Sequence, residues 1–258
     1  MKNECRVVVF GDLPIATRIV QFLQTLNDVN IFVVIGNKTP NNNDPWKETP
    51  LLYDYAHKCN LNVLTLSDIS EGYEDGYFTL GLSCRFSRII KSEVLRKFKN
   101  GILNMHGGLL PEFGGLYSVN HTLLTHSKVG GGTIHYIDDN IDTGEIVRRC
   151  EFAVEETDTA YTLFQKTQEA LEKTMKELIP LALKGKLDSV SHMEMQKRGY
   201  EKCYYDKHSL DGKKELKVSE LGTVEASFVI RAFDFPGYEP AYYINDCGKK
   251  VFLLYNFK

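Results

Sequence analysis

Near its start the chain runs Val7-Val8-Val9-Phe10, then Gly11-Asp12-Leu13-Pro14, and this pattern constrains the fold more than any other feature of the sequence. A strand without apolar/polar alternation has to be covered on both faces, which is the position of a parallel strand inside an α/β sheet. Ile15 to Leu26 then places apolar residues at Ile15, Ile19, Phe22, Leu23 and Leu26, a helical spacing, and Ile31 to Ile35 is a second apolar strand. Strand, helix, strand in that order makes a parallel pair with a right-handed crossover. The expected fold class is therefore α/β: an open, mostly parallel, Rossmann-like sheet flanked by helices.

Further strands are expected at Asn62 to Leu66, Tyr77 to Leu82, Ile102 to Met105 and Thr133 to Ile137, and helices at Leu51 to Lys58 and Leu95 to Phe98. Asn37 to Asp44, rich in Asn and holding Pro40, reads as a loop. Ala160 to Leu183 is a long amphipathic helix ending before Gly185, and the boundary of a first domain, residues 1–185, is placed there. The remainder, 186–258, turns to Tyr-, Phe- and Lys-rich segments. With turns at Asp211-Gly212 and Cys247-Gly248, it reads as a small β-rich hairpin extension.

Thirty-one Lys and Arg face thirty-four Asp and Glu, a formal charge of -3, so the balance argues against a nucleic-acid partner. The six cysteines are scattered with no CxxC pair, fitting neither a disulfide framework nor a zinc site, and no metal is expected. Without a signal-peptide pattern or a run of about 20 apolar residues, the expectation is a cytoplasmic protein that does not enter a membrane.

The stretch that speaks to chemistry is Asn104-Met105-His106-Gly107-Gly108-Leu109-Leu110-Pro111, with Ile141-Asp142-Thr143-Gly144 farther on. Side chains alternate along a strand, so Asn104 and His106 share a face. Acyl transfer to an amine needs a proton acceptor and a donor for the developing oxyanion. Histidine suits the first role and the asparagine amide the second, while Asp142 could fix the imidazole tautomer and stabilise the imidazolium. Taken singly, the three residues also read as a packed core histidine, a turn former and a cap.

Taken together, Asn104 to Pro111, Thr133 to His135 and Ile141 to Gly144 resemble the Asn-x-His-x-x-Leu-Leu-Pro and Asp-x-Gly motifs of the folate-dependent formyltransferases. The resemblance covers roughly residues 1–185. It implies Asn104, His106 and Asp142 as the catalytic set and N10-formyltetrahydrofolate as formyl donor. The pterin would lie against main-chain groups of Arg88-Ile89-Ile90 and of the Asp138-Asp139-Asn140 turn. One departure stands out: many relatives carry a cation just before the glycine of the loop after Leu-Leu-Pro, where this chain has Pro111-Glu112-Phe113-Gly114-Gly115.

The tail separates the possible acceptors. From Lys186 to Lys258 there are twelve Lys and Arg and eleven Asp and Glu, unlike the basic domain expected of an enzyme that formylates methionyl-tRNA. The first turn, Gly11-Asp12-Leu13-Pro14, is not the phosphate-binding glycine-rich turn that a purine-pathway transformylase would need. Arg231 to Tyr242 is similar to tails of bacterial formyltransferases acting on dTDP-linked 3-amino- or 4-amino-dideoxyhexoses used in surface polysaccharide (O-antigen) biosynthesis. That likeness implies Phe233 and Tyr238 stacking on the base, Arg231 offsetting the pyrophosphate, and a homodimer. Gly107 and Gly108 would allow close approach of the acceptor, and Tyr117 and Asn120 would meet the hexose, with a plain helix start as an equal reading of those two. For the tail aromatics a small core under a hairpin is an equal reading. A methionyl-tRNA formyltransferase-like enzyme, a formyltetrahydrofolate hydrolase and a non-catalytic binding module of the same fold remain as alternatives.

Overall fold

Val7, Val8, Val9 and Phe10 are all fully buried, because the strand they form is covered on both sides. In the computed structural model, which describes residues 4–36 and 43–255, the chain opens with β1 (Cys5–Gly11), α1 (Pro14–Leu23) and β2 (Val29–Val34). α2 (Leu52–Lys58), β3 (Asn62–Leu64), α3 (Leu66–Gly72), β4 (Leu80–Cys84) and α4 (Ser92–Leu95) follow. β1 pairs in parallel with β2 and with β4, and β3 pairs in parallel with β2. Period-2 alternation then divides the run: Val7 and Val9 join α1 in one core, and Val8 and Phe10 join Phe32, Phe78 and Phe98 in the other.

β5 (Ile102–His106) pairs in parallel with β4, and β7 (Val129–Tyr136) and β8 (Ile146–Ala153) extend the sheet antiparallel. The seven strands stand in the order β3-β2-β1-β4-β5-β7-β8. The open, mostly parallel sheet read from the sequence is the fold. Between β5 and β7 lie a two-residue strand, β6 (Gly114–Gly115), and α5 (Ser118–Leu124). α6 (Ala160–Ala182) packs Leu171, Met175, Leu178 and Ile179 onto the same core as α1. Its start is held by a capping box between Thr159 and Thr162.

Several expected elements differ. The fourth strand begins at Leu80 rather than Tyr77, because pairing with β1 starts at Val7 opposite Leu80. The short helix expected to close over Leu95 to Phe98 is Ser92–Leu95, and β8 and α3 were not anticipated. The Asn37 to Asp44 loop lies largely outside the described residues; its last two residues have no regular structure.

Beyond α6 come α7 (His192–Lys197), a short strand β9 (Tyr204–Tyr205), α8 (Val224–Phe233), and an antiparallel hairpin of β10 (Ala241–Ile244) and β11 (Lys250–Leu253). The hairpin is there, with Gly248 at φ 72° in its turn, but α7 and α8 occupy stretches read as strand. β9 pairs in parallel with β6, which stitches the tail to the loop that follows β5. Among the described residues, no helix is long and apolar enough to cross a membrane.

Candidate active site

The antiparallel pairing of β5 with β7 sets Asn104 opposite His135 and His106 opposite Thr133. His135 Nδ1 lies 2.8 Å from the Tyr136 carbonyl, which can only accept, so Nδ1 carries the proton. Nε2 is then a lone pair and accepts from Asn104 Nδ2 at 3.1 Å. That bond fixes which way the Asn104 carboxamide points and leaves its second N–H without a partner among the described residues. Burial pushes the His135 pKa down to about 4, with His106 adding to the effect and Asp142 opposing it, so the ring stays neutral as this geometry requires.

His106 is held by the same reasoning at its other nitrogen. Nε2 is 2.7 Å from the Phe113 carbonyl and must donate to it, so the free lone pair of the neutral ring is on Nδ1. Nδ1 stands 3.4 Å from Asp142 Oδ2. The expectation that Asp142 fixes the tautomer is corrected here: the Phe113 carbonyl does that, and Asp142 faces the nitrogen that would take up a proton. Asp142 sits in a left-handed conformation (φ 54°), accepts from the Gly115 amide at 2.9 Å, and places Oδ1 3.7 Å from His135 Nε2. Asn104, His106 and Asp142, from two distant stretches of chain, thus converge, with His135 as an unanticipated fourth member.

The loop from Gly107 to Phe113 is pinned by Thr133, whose hydroxyl donates to the Gly108 carbonyl at 2.7 Å and accepts from the Leu110 amide at 2.9 Å. Phe113 stands in the position before the loop glycine, and Glu112 beside it pairs with Arg149 of β8. Arg149 also donates to the Leu110 carbonyl, so the charge at this loop serves to brace it.

His106 opens onto a cavity of about 560 Å³ between β5, α5, α6 and the tail. Of the residues expected to meet the acceptor, Gly107, Tyr117, Asn120, Phe233 and Tyr238 line it. Asn120 also donates to the Ala232 carbonyl at 2.6 Å, tying α5 to α8. Gly108 and Arg231 do not line it. A side chain at Gly108 would meet the Phe113 carbonyl and Ser118, so that glycine serves packing. Arg231 is only 5% exposed and donates through Nη1 to the carbonyls of Glu155, Glu156 and Asp158, so it is turned away from any pyrophosphate. Reading the tail as an open hairpin hid this, since the turn of α8 buries that face.

Of the expected pterin loop, Ile90 is buried in the second core while Arg88 and Ile89 are exposed, Ile89 by 69%. Ile90 thus anchors a short segment whose main chain lies at the surface just past β4. In the other expected turn, the Asp138 carboxylate is spent internally, accepting from the Thr143 hydroxyl at 2.7 Å and the Asn140 amide at 3.1 Å, while Asp139 points outward. Three cavity-lining cations, Arg85, Lys207 and Lys214, escaped the sequence reading. Arg85 follows directly on β4, where the carboxyl ends of parallel strands in such sheets carry ligands, and that rule would have found it. No group of three or more His, Cys, Asp or Glu among the described residues is arranged to hold a metal.

A family model described as formyl transferase matches residues 5–179. The methionyl-tRNA formyltransferase of Bacillus mycoides (strain KBAB4) is 30% identical over 115 residues, 45% of this chain and 37% of that protein. The chain thus spans little more than a third of the curated relatives it matches. A 4-N formyltransferase from Francisella tularensis has the same fold over 99% of both chains, at 19% identity and a TM-score of 0.78. An N-formyltransferase from Helicobacter canadensis, solved with folinic acid and dTDP-3-aminofucose, matches over 90% of this chain and 81% of its own at 24% identity and a TM-score of 0.72. With the family model covering more than half of the sequence, and the whole of β5 within it, the chain belongs to the formyl transferase family.

Proposed function

We propose that the protein transfers a formyl group from N10-formyltetrahydrofolate to the amine of a nucleotide-linked amino sugar. The acceptor we favour is a dTDP-linked 3-amino- or 4-amino-dideoxyhexose destined for a surface polysaccharide. The observation that carries this reading is the single cavity that joins His106 to the tail aromatics Phe233 and Tyr238. A cavity of that size takes a ligand with an apolar or aromatic end and a reactive end. The Francisella and Helicobacter proteins share the fold along most of the chain, which supports this reading.

In this reading the neutral amine attacks the formyl carbon. The second N–H of Asn104, aimed by His135, stabilises the charge that develops on the formyl oxygen. His106 Nδ1 accepts the amine's proton, and Asp142 at 3.4 Å stabilises the imidazolium formed. As the tetrahedral adduct collapses, the bond from the formyl carbon to N10 breaks and the imidazolium returns the proton to N10, releasing tetrahydrofolate and the formamide. Arg88, Ile89, Ile90, Asp138 and Asp139 frame the pterin through their main chain. We further propose a cytoplasmic homodimer in which the exposed side chains of the β10–β11 hairpin, such as Phe252, are covered.

The test is an assay of formyl-folate consumption with and without dTDP- or UDP-linked amino sugars. Acceptor-dependent consumption is expected. His106→Ala and Asn104→Ala should each lose about a hundredfold or more in kcat while still binding folate and nucleotide. Consumption without acceptor would make the protein a hydrolase, none at all a binding module, and consumption only with methionyl-tRNA would replace the sugar.

A further inference from the structure

The sheet reverses its strand order between β1 and β4, and at the carboxyl end of β4 Arg85 stands on the cavity wall. Its backbone is left-handed (φ 54°), a conformation that a residue with a side chain keeps where the surroundings impose it. Nη1 donates to Asp44 Oδ1 at 2.7 Å, and the guanidinium lies 4.8 Å from the centre of the Phe164 ring. Asp44 is fully buried, whereas the Arg85 side chain is 31% exposed. A guanidinium has five N–H donors, and the four that Asp44 does not take meet no acceptor among the described residues.

Asp44 does a second thing. Its other oxygen accepts from the Ile15 amide at 3.1 Å, so the chain's own carboxylate fills the start of α1. That is where open α/β sheets commonly seat a phosphate. An anion drawn to this edge of the sheet therefore finds Arg85 and not the helix terminus.

The other cations of the cavity are Lys207 and Lys214. Lys214 is engaged by Glu239 at 3.6 Å, and Asp211 by His208 at 2.9 Å. Lys207 is exposed and has no ion pair among the described residues. Arg85, with N–H donors to spare, and Lys207, with no ion pair among the described residues, thus line the same cavity as the tail aromatics. Resting on the acceptor reading above, we infer that Arg85 and Lys207 hold the diphosphate of the nucleotide-linked substrate, with Asp44 as the positioning residue for Arg85. The glutamate carboxylates of the folate are the other anion available to such a pair. The diphosphate is the better fit, because the expected pterin loop at Arg88 to Ile90 lies outside this cavity.

The experiment measures binding to the full chain by calorimetry for dTDP, UDP, thymidine, 5-formyltetrahydrofolate and its counterpart lacking glutamate. Variants are Arg85→Met, Arg85→Lys, Lys207→Met and Asp44→Asn, each first checked for an unchanged melting temperature. Arg85→Met should weaken dTDP about ten- to hundredfold, and Lys207→Met about tenfold. Thymidine and both folates should stay within about twofold of wild type. Arg85→Lys should restore only part, since a point charge does not reproduce the guanidinium fork. Asp44→Asn should weaken dTDP less than Arg85→Met and add nothing to it in the double variant. Wild-type affinity for dTDP in Arg85→Met overturns the inference and leaves the acceptor reading standing. So does a loss confined to the glutamate-bearing folate, which would assign the pair to the folate tail. A wild-type protein that binds folate but neither dTDP nor UDP ends the acceptor reading, and this inference with it.

Discussion

At the scale of single residues, the site depends on proton positions set by carbonyls. Two imidazoles, His106 and His135, each give one N–H to a backbone carbonyl, which in the neutral ring places the lone pair on the opposite nitrogen. His135 then acts on Asn104 and not on substrate. His135→Leu should lower kcat about ten- to a hundredfold with little change in folate affinity, whereas His135→Gln, which keeps an acceptor, should recover part; equal losses would deny His135 its positioning role. A second consequence concerns acid. His135 and His121 both have pKa values lowered to about 4, first by burial, against about 6.5 in the unfolded chain. The unfolded state therefore binds protons that the folded state refuses between pH 6.5 and 4, so stability is full above that window and falls as pH drops through it. For His135 the loss is on the order of 3 kcal/mol. Urea midpoints measured at pH 7.5 and 5 should show the decline, and His135→Gln should reduce it; midpoints that do not move would contradict the assignment.

At the scale of elements, the short pairing of β6 with β9 controls the site. Gly115 has φ 86°, its amide holds Asp142, and a Cβ there would fall 2.2 Å from the Tyr205 carbonyl. Gly115→Ala should therefore cost about 1–3 kcal/mol in stability and lower kcat as Asp142 moves. Gly107→Ala, where a Cβ meets nothing within 4 Å, should fold as the wild type does. Matching melting temperatures for the two variants would refute this. Elements with an unbroken apolar run or a clear helical period were legible in the sequence: β1 and β2 by the first, and α1 and α6 by the second, lie close to where the pattern places them. α8 was not, because Val224, Phe228, Val229 and Ile230 favour strand on propensity. Its start signal was present in Thr223, whose side chain accepts from the Ala226 amide, and packing against α5 decided the rest. Likewise Asn104, His106 and Asp142 could be read from a motif, whereas His135, Arg85 and Lys207 acquire their roles from pairing and tertiary contact.

At the scale of the whole molecule, the question is whether the tail is an appendage or a part of the fold. Ala232 and Phe233 of α8 and Ala241 of β10 share one buried cluster with Leu123 of α5 and with Ala160 and Leu163 of α6. Arg231 satisfies three carbonyls just before α6, Val190 bridges Ile146 of β8, and Asn120 reaches the end of α8. Removing residues after 185 would expose the apolar surface of that cluster and strip Lys207, Phe233 and Tyr238 from the cavity. At about 25 cal/mol per Å², losing even a few hundred Å² of apolar burial takes away several kcal/mol, a large share of the roughly 5–15 kcal/mol that holds a domain folded. A chain ending at 185 should accordingly lose its cooperative melting transition and associate into larger species, measured by calorimetry and size-exclusion chromatography. A shortened chain that melts cooperatively as a single species and still binds folate would show that the sheet stands alone and that the tail supplies only the acceptor.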